Sequence, residues 1–295
     1  MQIEELVQAR LRQQISVWLA REPEVRRSAN TEALRRLRRA GQRFDAALRL
    51  FEDHVPAELQ RFQPEFKSLL RSLGAVRDLD IRLQAVERFR RTLTGPERKA
   101  FEPLRQLMQA EHSQLRARML HELGDVGPAV RMRRWRRSLT HFPAHSDSGH
   151  ALAVTVMPAL IRARRRKVRK AVRRLNARST ETQYHAVRVR VKKLRYAVES
   201  TIALYGPRAE KFLRTLRKIQ RSLGEQHDAY IVRQAVLALV RRPTGELSAE
   251  AVLLMNRMAA QQTAAAVEAR EAFHRNYRKL HGKRWKRLRR AMIAE

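Results

Sequence analysis

A row of basic side chains marks the segment from Tyr184 to Val198. Apolar residues recur there at helical spacing and predict a face packed on a core: Tyr184, Val187, Val191, Leu194 and Val198. Beside that face runs a second row with the same period: His185, Arg188, Lys192 and Arg195. Like charges at this spacing repel one another along a helix. The next acid in the row is Glu199, so an external anion is the expected counter-charge.

A similar but weaker row lies in the first half of the chain. Arg35 and Arg38 flank the core positions of a helix there, and Asp45 reverses the charge at the far end of the row. We therefore expect Arg35 and Arg38 to contribute to an anion site and this half to hold the anion less strongly.

A third basic helix runs from Arg162 to Arg174. Arg165 and Arg169 flank its apolar side, and both are candidate anion ligands. Arg164 falls on the apolar side itself, where an unpaired guanidinium is costly. It must reach solvent, meet an acid or point into an anion channel. Lys193 is also a candidate ligand, although its phase, like that of Arg190, favours a solvated surface.

An internal repeat with an offset of 150 residues organises these segments. The aligned positions are 71–74 with 221–224, Asp78 with Asp228, 84–86 with 234–236, and 134–137 with 284–287. Several matches in one register favour an ancestral duplication. Asp78 and Asp228 each follow a repeated glycine by four residues. They either pair with an arginine or histidine of the basic rows or belong to a helix-packing motif, and both can hold.

The distribution of helix formers and breakers predicts an all-α chain without sheet. The predicted helices are 2–22, 30–54, 57–92 and 95–123, then 150–175, 180–205, 207–240 and 247–280. Four antiparallel helices with short connections form a four-helix bundle. We expect two such bundles, related by a pseudo-two-fold axis, with a basic channel at their seam. The predicted domains are 1–140, including a basic tryptophan segment, a linker at 141–150, and 151–295, including a basic tail.

Composition narrows the class of partner. The chain has 295 residues, with 64 lysines and arginines against 29 aspartates and glutamates, a net charge of +35. Such a charge opposes compaction, so a polyanion partner is expected. The absence of cysteine excludes disulfides, thiolate catalysis and cysteine-based metal sites. The N-terminus lacks a secretory pattern, and no apolar run approaches the ~18 residues that span a bilayer. We expect a cytoplasmic protein without a membrane partner.

The combined motifs resemble the CHAD family, the conserved histidine α-helical domain. They are His-x-x-Arg at 185–188, the basic run at 192–195, and Leu-Gly-x-x-x-Asp at 223–228 and 73–78. The resemblance spans residues 2–280. It implies two helical bundles around a basic channel, binding of inorganic polyphosphate and recruitment to polyphosphate granules. Arg35 in place of histidine and Asp45 in place of arginine depart from the family pattern and imply an asymmetric site.

We therefore expect non-catalytic polyphosphate binding, without cofactor or metal. One alternative is nonspecific binding of DNA or RNA, for which the basic tail 283–290 is suited. Aromatic residues make up only 6%, and no helix-turn-helix, zinc-finger or RNP signature is present. A second alternative is a phosphoryl-transfer enzyme that uses His185. The chain lacks the phosphate loop or metal-binding acid cluster of that chemistry. His141 and His145 could form a metal pair, but their spacing alone is weak evidence.

Overall fold

The computed structural model describes residues 1–55, 57–61, 63–124, 127–139, 151–241 and 247–293. These residues form α-helices and one short 3-10 helix, and none of them forms a β-strand. The all-α prediction is confirmed. The first-half helices are α1 (Ile3–Arg27), α2 (Thr31–Leu50), α3 (Ala57–Arg61), α4 (Gln63–Arg90), α5 (Gly95–Gly124) and α6 (Gly127–Ser138). The second-half helices are α7 (Ala153–Val172), α8 (Glu181–Ser200), α9 (Ile202–Val240), α10 (Ala249–Arg278) and α11 (Lys283–Ala291).

The starts of α2 and α8 are fixed by side-chain caps. The Asn30 side chain accepts hydrogen bonds from the backbone N–H groups of Glu32 and Ala33. Thr180 and Gln183 form a capping box at the start of α8. Such caps satisfy donors that the first turn leaves free, and each typically contributes about 1 kcal/mol. The two helices that carry the basic rows therefore begin at positions that the sequence specifies.

Two predicted helix boundaries had different outcomes. The predicted end of α1 at Pro23 is wrong, because the helix continues to Arg27. Proline removes one backbone hydrogen bond, but the following turn is held by buried Val25 and by the hydrogen bond that Arg26 donates to Glu22, at 2.6 Å. The predicted boundary near 206 is present as a sharp bend within α9, where Gly206 has φ of 46°. The linker 141–150 and the predicted break at 243–245 lie outside the described residues.

The apolar side chains form a large core and a smaller one. The large core is built on the apolar faces of α1, α2, α7 and α8 and on the adjoining ends of their neighbours. The smaller core joins the α4–α5 hairpin to the α9–α10 hairpin through residues such as Phe89, Phe101, Val236 and Met255. In α2, the core positions that Arg35 and Arg38 flank are all buried: Leu34, Leu37, Gly41, Phe44 and Leu48.

The two halves meet along a seam of paired helices. Helices that the 150-residue register aligns pack against each other: α1 with α7, α2 with α8, α4 with α9, and α5 with α10. The strand-like residues before α1 and α7 also pair, since Ala153 N–H donates to Met1 O at 3.1 Å. These contacts join equivalent helices, as expected for two halves related by the predicted pseudo-two-fold axis. The internal duplication itself stays a prediction.

In the part of the chain that the structure describes, no helix combines the length and the apolar character that crossing a membrane requires.

Candidate anion-binding site

The basic row of α8 lies at the seam with α2. Arg188, Lys192 and Arg195 are half-buried, and His185 is exposed. Burial, followed by the positive charges of Arg38, Arg188 and Arg195, lowers the pKa of Lys192 to about 7. Because Arg38 belongs to α2, the two halves both supply cations to one place. The row thus concentrates positive charge, and the nearby carboxylate of Asp45 offsets its effect on Lys192 only in part.

Three arginines of the seam keep unsatisfied donors. The Nε–H groups of Arg38, Arg188 and Arg195 are buried and donate to no acceptor in the described residues. Buried polar groups in folded proteins nearly always have a partner, so such exceptions need an explanation. A bound anion would supply both an acceptor and the missing negative charge.

The repeated glycine and aspartate support this arrangement. A Cβ atom on Gly74 would lie 3.6 Å from Nε and Nη2 of Arg38, so the guanidinium packs over this glycine. Asp78 faces Arg38 electrostatically and opposes the fall in the Arg38 pKa that burial causes. The guanidinium of Arg38 therefore packs on Gly74 and is also influenced by the charge of Asp78.

The second-half aspartate, Asp228, is half-buried close to basic side chains of both halves. Burial raises the pKa of Asp228, and the charges of Arg188, His227 and Arg77 oppose that rise. No atom lies within 4 Å of the Cβ position of Gly224, so space is open beside this motif. The two halves of the seam thus differ in packing as well as in sequence.

His185 belongs to a small imidazole cluster at one end of the row. Its ring centroid lies 5.0 Å from that of His227, and His227 Nδ1 lies 3.0 Å from Glu181 Oε1. Burial lowers the pKa of His185, and the charges of His227 and Arg188 lower it further. His185 is therefore mainly neutral at pH 7, and a neighbouring anion would favour its charged form.

Glu199 closes the other end of the row. Its carboxylate lies 3.3 Å from Arg43, 3.8 Å from Arg195 and 3.6 Å from Arg217. Arg10 also donates to its backbone oxygen at 2.7 Å. A cavity of about 260 Å³ opens beside it, lined partly by Arg10 and Arg43. One carboxylate therefore serves as the internal counter-ion for several guanidiniums.

A family model of the CHAD domain matches residues 9–237. The chain belongs to the CHAD domain family. Its fold is similar to that of PptA from Streptomyces chartreusis, with a TM-score of 0.73 and 18% identity, covering 94% of this chain and 100% of that chain. It is also similar to the crystal structure of the CHAD domain from the plant Ricinus communis, with a TM-score of 0.73 and 22% identity, covering 93% and 92%. A comparison with curated proteins finds no match.

The CHAD seam contains cations that the sequence interpretation missed. Arg39 lies near Arg195 and Arg43, and their charges, together with burial, lower its pKa. Arg77 lies near Asp228 and Arg38. Arg39 and Arg43 are four residues apart and therefore lie on one side of α2, and this spacing is visible in the sequence. The sequence does not show which side of α2 faces α8, and that contact decides their role.

Arg165 and Arg169 lie away from the seam in this CHAD domain. The Arg165 guanidinium stacks over Trp285 at 4.2 Å and lies 2.9 Å from His281 Nδ1. The exposed Arg169 contributes charge to the same group, as does Arg289. Both predicted ligands therefore belong to a surface formed by α7, α10 and α11. Trp285 is buried against Phe212 and therefore packs in the core.

Three other predicted ligands are also displaced from the row. Lys193 is exposed, and Arg164 lies near it on the outer side of α7 and α8, together with Arg49. Burial lowers the pKa of Arg164. Arg35 is at the margin of the seam, where its ion pair with Glu32 neutralises it locally. The structure therefore brings together His185, Arg188, Lys192, Arg195 and Arg38, and it does not bring Arg164, Arg165, Arg169 or Lys193 to them.

The acids of the seam show no arrangement for metal catalysis. No group of three His, Cys, Asp or Glu side chains that could hold a metal occurs in the described ranges. Asp80 is buried and lies 3.0 Å from His112 Nε2 and 3.6 Å from Arg77, so it serves the packing of α4 on α5. His141 and His145, the weak metal pair of the sequence, lie outside the described residues.

Proposed function

We propose that this CHAD protein binds inorganic polyphosphate at the seam between its halves and leaves it chemically unchanged. The observation that carries the proposal is the packing of Lys192 among Arg38, Arg188 and Arg195. Polyphosphate carries about one negative charge per phosphate and has no bases to recognise, so dense cations are what it requires. Arginine forks match phosphate oxygens with paired donors.

Binding would act by charge neutralisation. A phosphate chain lying along α8 replaces repulsion between the cations with attraction and gives acceptors to the arginine donors. It also restores the charged form of Lys192. Counterions released from the phosphate chain make the affinity depend on salt concentration. Granule association follows as part of this proposal, since a protein that binds polyphosphate collects where it accumulates.

Nonspecific nucleic-acid binding is the second candidate function. The residues of α11 that favour it are exposed and basic: Lys283, Arg284, Lys286, Arg287, Arg289 and Arg290. Side chains of this kind contact the phosphate backbone of DNA or RNA, and such contacts do not distinguish one base sequence from another.

The decisive experiment compares two double substitutions on α8. Lys192→Glu with Arg195→Glu should reduce polyphosphate affinity at least about a hundredfold, since two charge-assisted contacts are each worth about 1.5–3 kcal/mol. Arg190→Glu with Lys193→Glu makes the same change in net charge on the exposed side of the same helix. This control should reduce affinity only a few-fold in solution at physiological salt, because screening weakens distant charges. Affinity is measured by titration calorimetry, and equal losses would show that net charge alone governs binding.

The absence of catalysis is tested by phosphate release. Polyphosphate incubated with the protein, with and without Mg²⁺, should yield no orthophosphate above the protein-free control. Release that His185→Ala abolishes would make the protein an enzyme and overturn this part of the proposal.

A further inference from the structure

A second cavity, of about 700 Å³, lies between the start of α9 and the exposed side of α11. Five cations line it: Arg208, Lys211, Arg214, Arg284 and Arg287. Small-molecule sites typically occupy about 300–1,000 Å³. The cavity is therefore large enough for an organic ligand.

This cavity is separate from the seam. Arg217, on the side of α9 that faces α8, contacts Glu199 at the end of the seam row. On the side that faces α11, the Thr215 hydroxyl accepts a hydrogen bond from Arg284 at 2.6 Å. The cavity lies on this second side, and none of its lining residues belongs to the cation row.

One acid, the exposed Glu210, lies next to Lys211 and four residues before Arg214, but it is not part of the cavity lining. No aspartate or glutamate lines the cavity, and none of its five cations forms an ion pair within the described part of the chain. Lys211 and Arg214 are exposed, so they can turn towards a ligand. The straight part of α9 starts at Pro207, and the positive end of that helix adds to the potential. A ligand with several negative charges is the natural complement.

One wall of the cavity is apolar. The chain turns at Gly206, where φ is 46°, and the turn places Leu204, Tyr205 and Pro207 along the wall. This φ is accessible to glycine and strained for other residues. An inorganic phosphate chain gains nothing from such a wall, whereas the flat ring of a nucleotide base packs on apolar and aromatic surfaces.

The charge of the cavity is specific to the second half. In the 150-residue register, Glu58 and Pro64 stand at the positions of Arg208 and Arg214. The aligned positions of the first-half sequence therefore lack two of the cations. The basic lining is not a requirement of the repeated helices.

We infer that this cavity is a binding site for a nucleoside di- or triphosphate. Arg208, Lys211 and Arg214 bind the phosphates, and the base lies against Leu204 and Pro207. The site acts beside the seam and does not depend on polyphosphate binding there.

The test uses ATP, with tripolyphosphate and adenosine as partial ligands, in titration calorimetry on the full chain. ATP should bind at least about tenfold more tightly than tripolyphosphate, because the base buries apolar surface against Leu204 and Pro207. Equal affinity of tripolyphosphate and ATP would overturn the inference, as would ATP binding no tighter than adenosine.

Two variants then place the site. Lys211→Ala with Arg214→Ala should weaken ATP binding at least about tenfold, since charge-assisted contacts are lost. Lys218→Ala with Arg221→Ala removes the same charge from exposed positions further along α9 and should leave ATP affinity within about twofold. Equal losses in these two variants contradict the assignment. The seam variant Lys192→Glu with Arg195→Glu should retain ATP binding, and loss of ATP there instead would move the site to the seam.

Discussion

Lys192 is where the positive charge of the seam has its largest chemical effect. Burial, followed by the charges of three guanidiniums of which one belongs to the opposite half, lowers its pKa to about 7 from the ordinary 10.5. The lysine is therefore partly neutral at physiological pH when nothing is bound. An anion that stabilises the charged form must raise this pKa, so binding and protonation are coupled at a single residue.

Polyphosphate binding should therefore take up a proton above pH 7. At pH 8 about nine-tenths of the free protein has neutral Lys192, and the bound form is charged, so uptake approaches one proton. Affinity is independent of this group below pH 7 and falls up to about tenfold per unit as pH rises above it. Calorimetry with long-chain polyphosphate in buffers of different ionisation enthalpy measures the uptake. Lys192→Arg should abolish it while retaining binding, and wild-type binding without uptake would contradict the assignment.

The carboxylate of Glu199 competes with a bound anion at the far end of the same row of cations. Substitution by glutamine removes the carboxylate that faces Arg43, Arg195 and Arg217 and frees their charge for a ligand. Glu199→Gln should tighten polyphosphate binding about fivefold, equivalent to the ~1 kcal/mol of a partly exposed ion pair. Glu210→Gln makes the same charge change at an exposed position of α9. Direct binding measurements should show little effect of this control, and equal tightening in both variants would refute the role of Glu199.

At the scale of helices, the sequence predicts which face of a helix is buried better than it predicts which other helix packs there. The apolar phase of α8 and of α2 could be predicted because it depends only on local spacing, and all their predicted core positions are buried. The contribution of Arg39 and Arg43 could not be predicted, because it depends on which side of α2 meets α8. The extension of α1 through Pro23 was missed for a related reason, since tertiary packing outweighs a local breaker.

The close packing of α2 depends on Gly41. A Cβ atom there would lie 2.6 Å from side-chain atoms of both Leu70 and Trp18. Gly41→Ala should lower the free energy of unfolding by about 1–3 kcal/mol, the usual effect of overpacking a core. Chemical denaturation monitored by circular dichroism measures the change. Gly224→Ala, where the Cβ position is open, is the control for glycine replacement within a helix. Unchanged stability of Gly41→Ala would show that α2 is not tightly packed there.

At the scale of the whole molecule, a net charge of +35 is divided among surfaces with different surroundings. Part is half-buried at the seam, part is exposed on α11, and part lines the cavity beside α9. The total net charge could be calculated from the composition, whereas its distribution among these surfaces could not be predicted. Helix phase placed Arg165 and Arg169 beside an apolar face, but only the fold shows that the neighbour there is α11 with Trp285. Sequence reasoning therefore gathered into one site residues that the fold keeps apart.

This division predicts how polyphosphate and duplex DNA compete. A single phosphate chain is thinner than a duplex and can approach the half-buried cations of α8 more closely, whereas a duplex meets mainly exposed cations such as those of α11. Polyphosphate should therefore displace labelled DNA at a phosphate concentration at least about tenfold below that of competing unlabelled DNA, since half-buried charges are screened less than exposed ones. Lys286→Glu with Arg290→Glu, both exposed on α11, should weaken DNA binding and leave polyphosphate affinity nearly unchanged. The seam variant Lys192→Glu with Arg195→Glu should do the reverse. If DNA displaces polyphosphate at the lower phosphate concentration, the seam is not a polyphosphate site and nonspecific nucleic-acid binding becomes the better account.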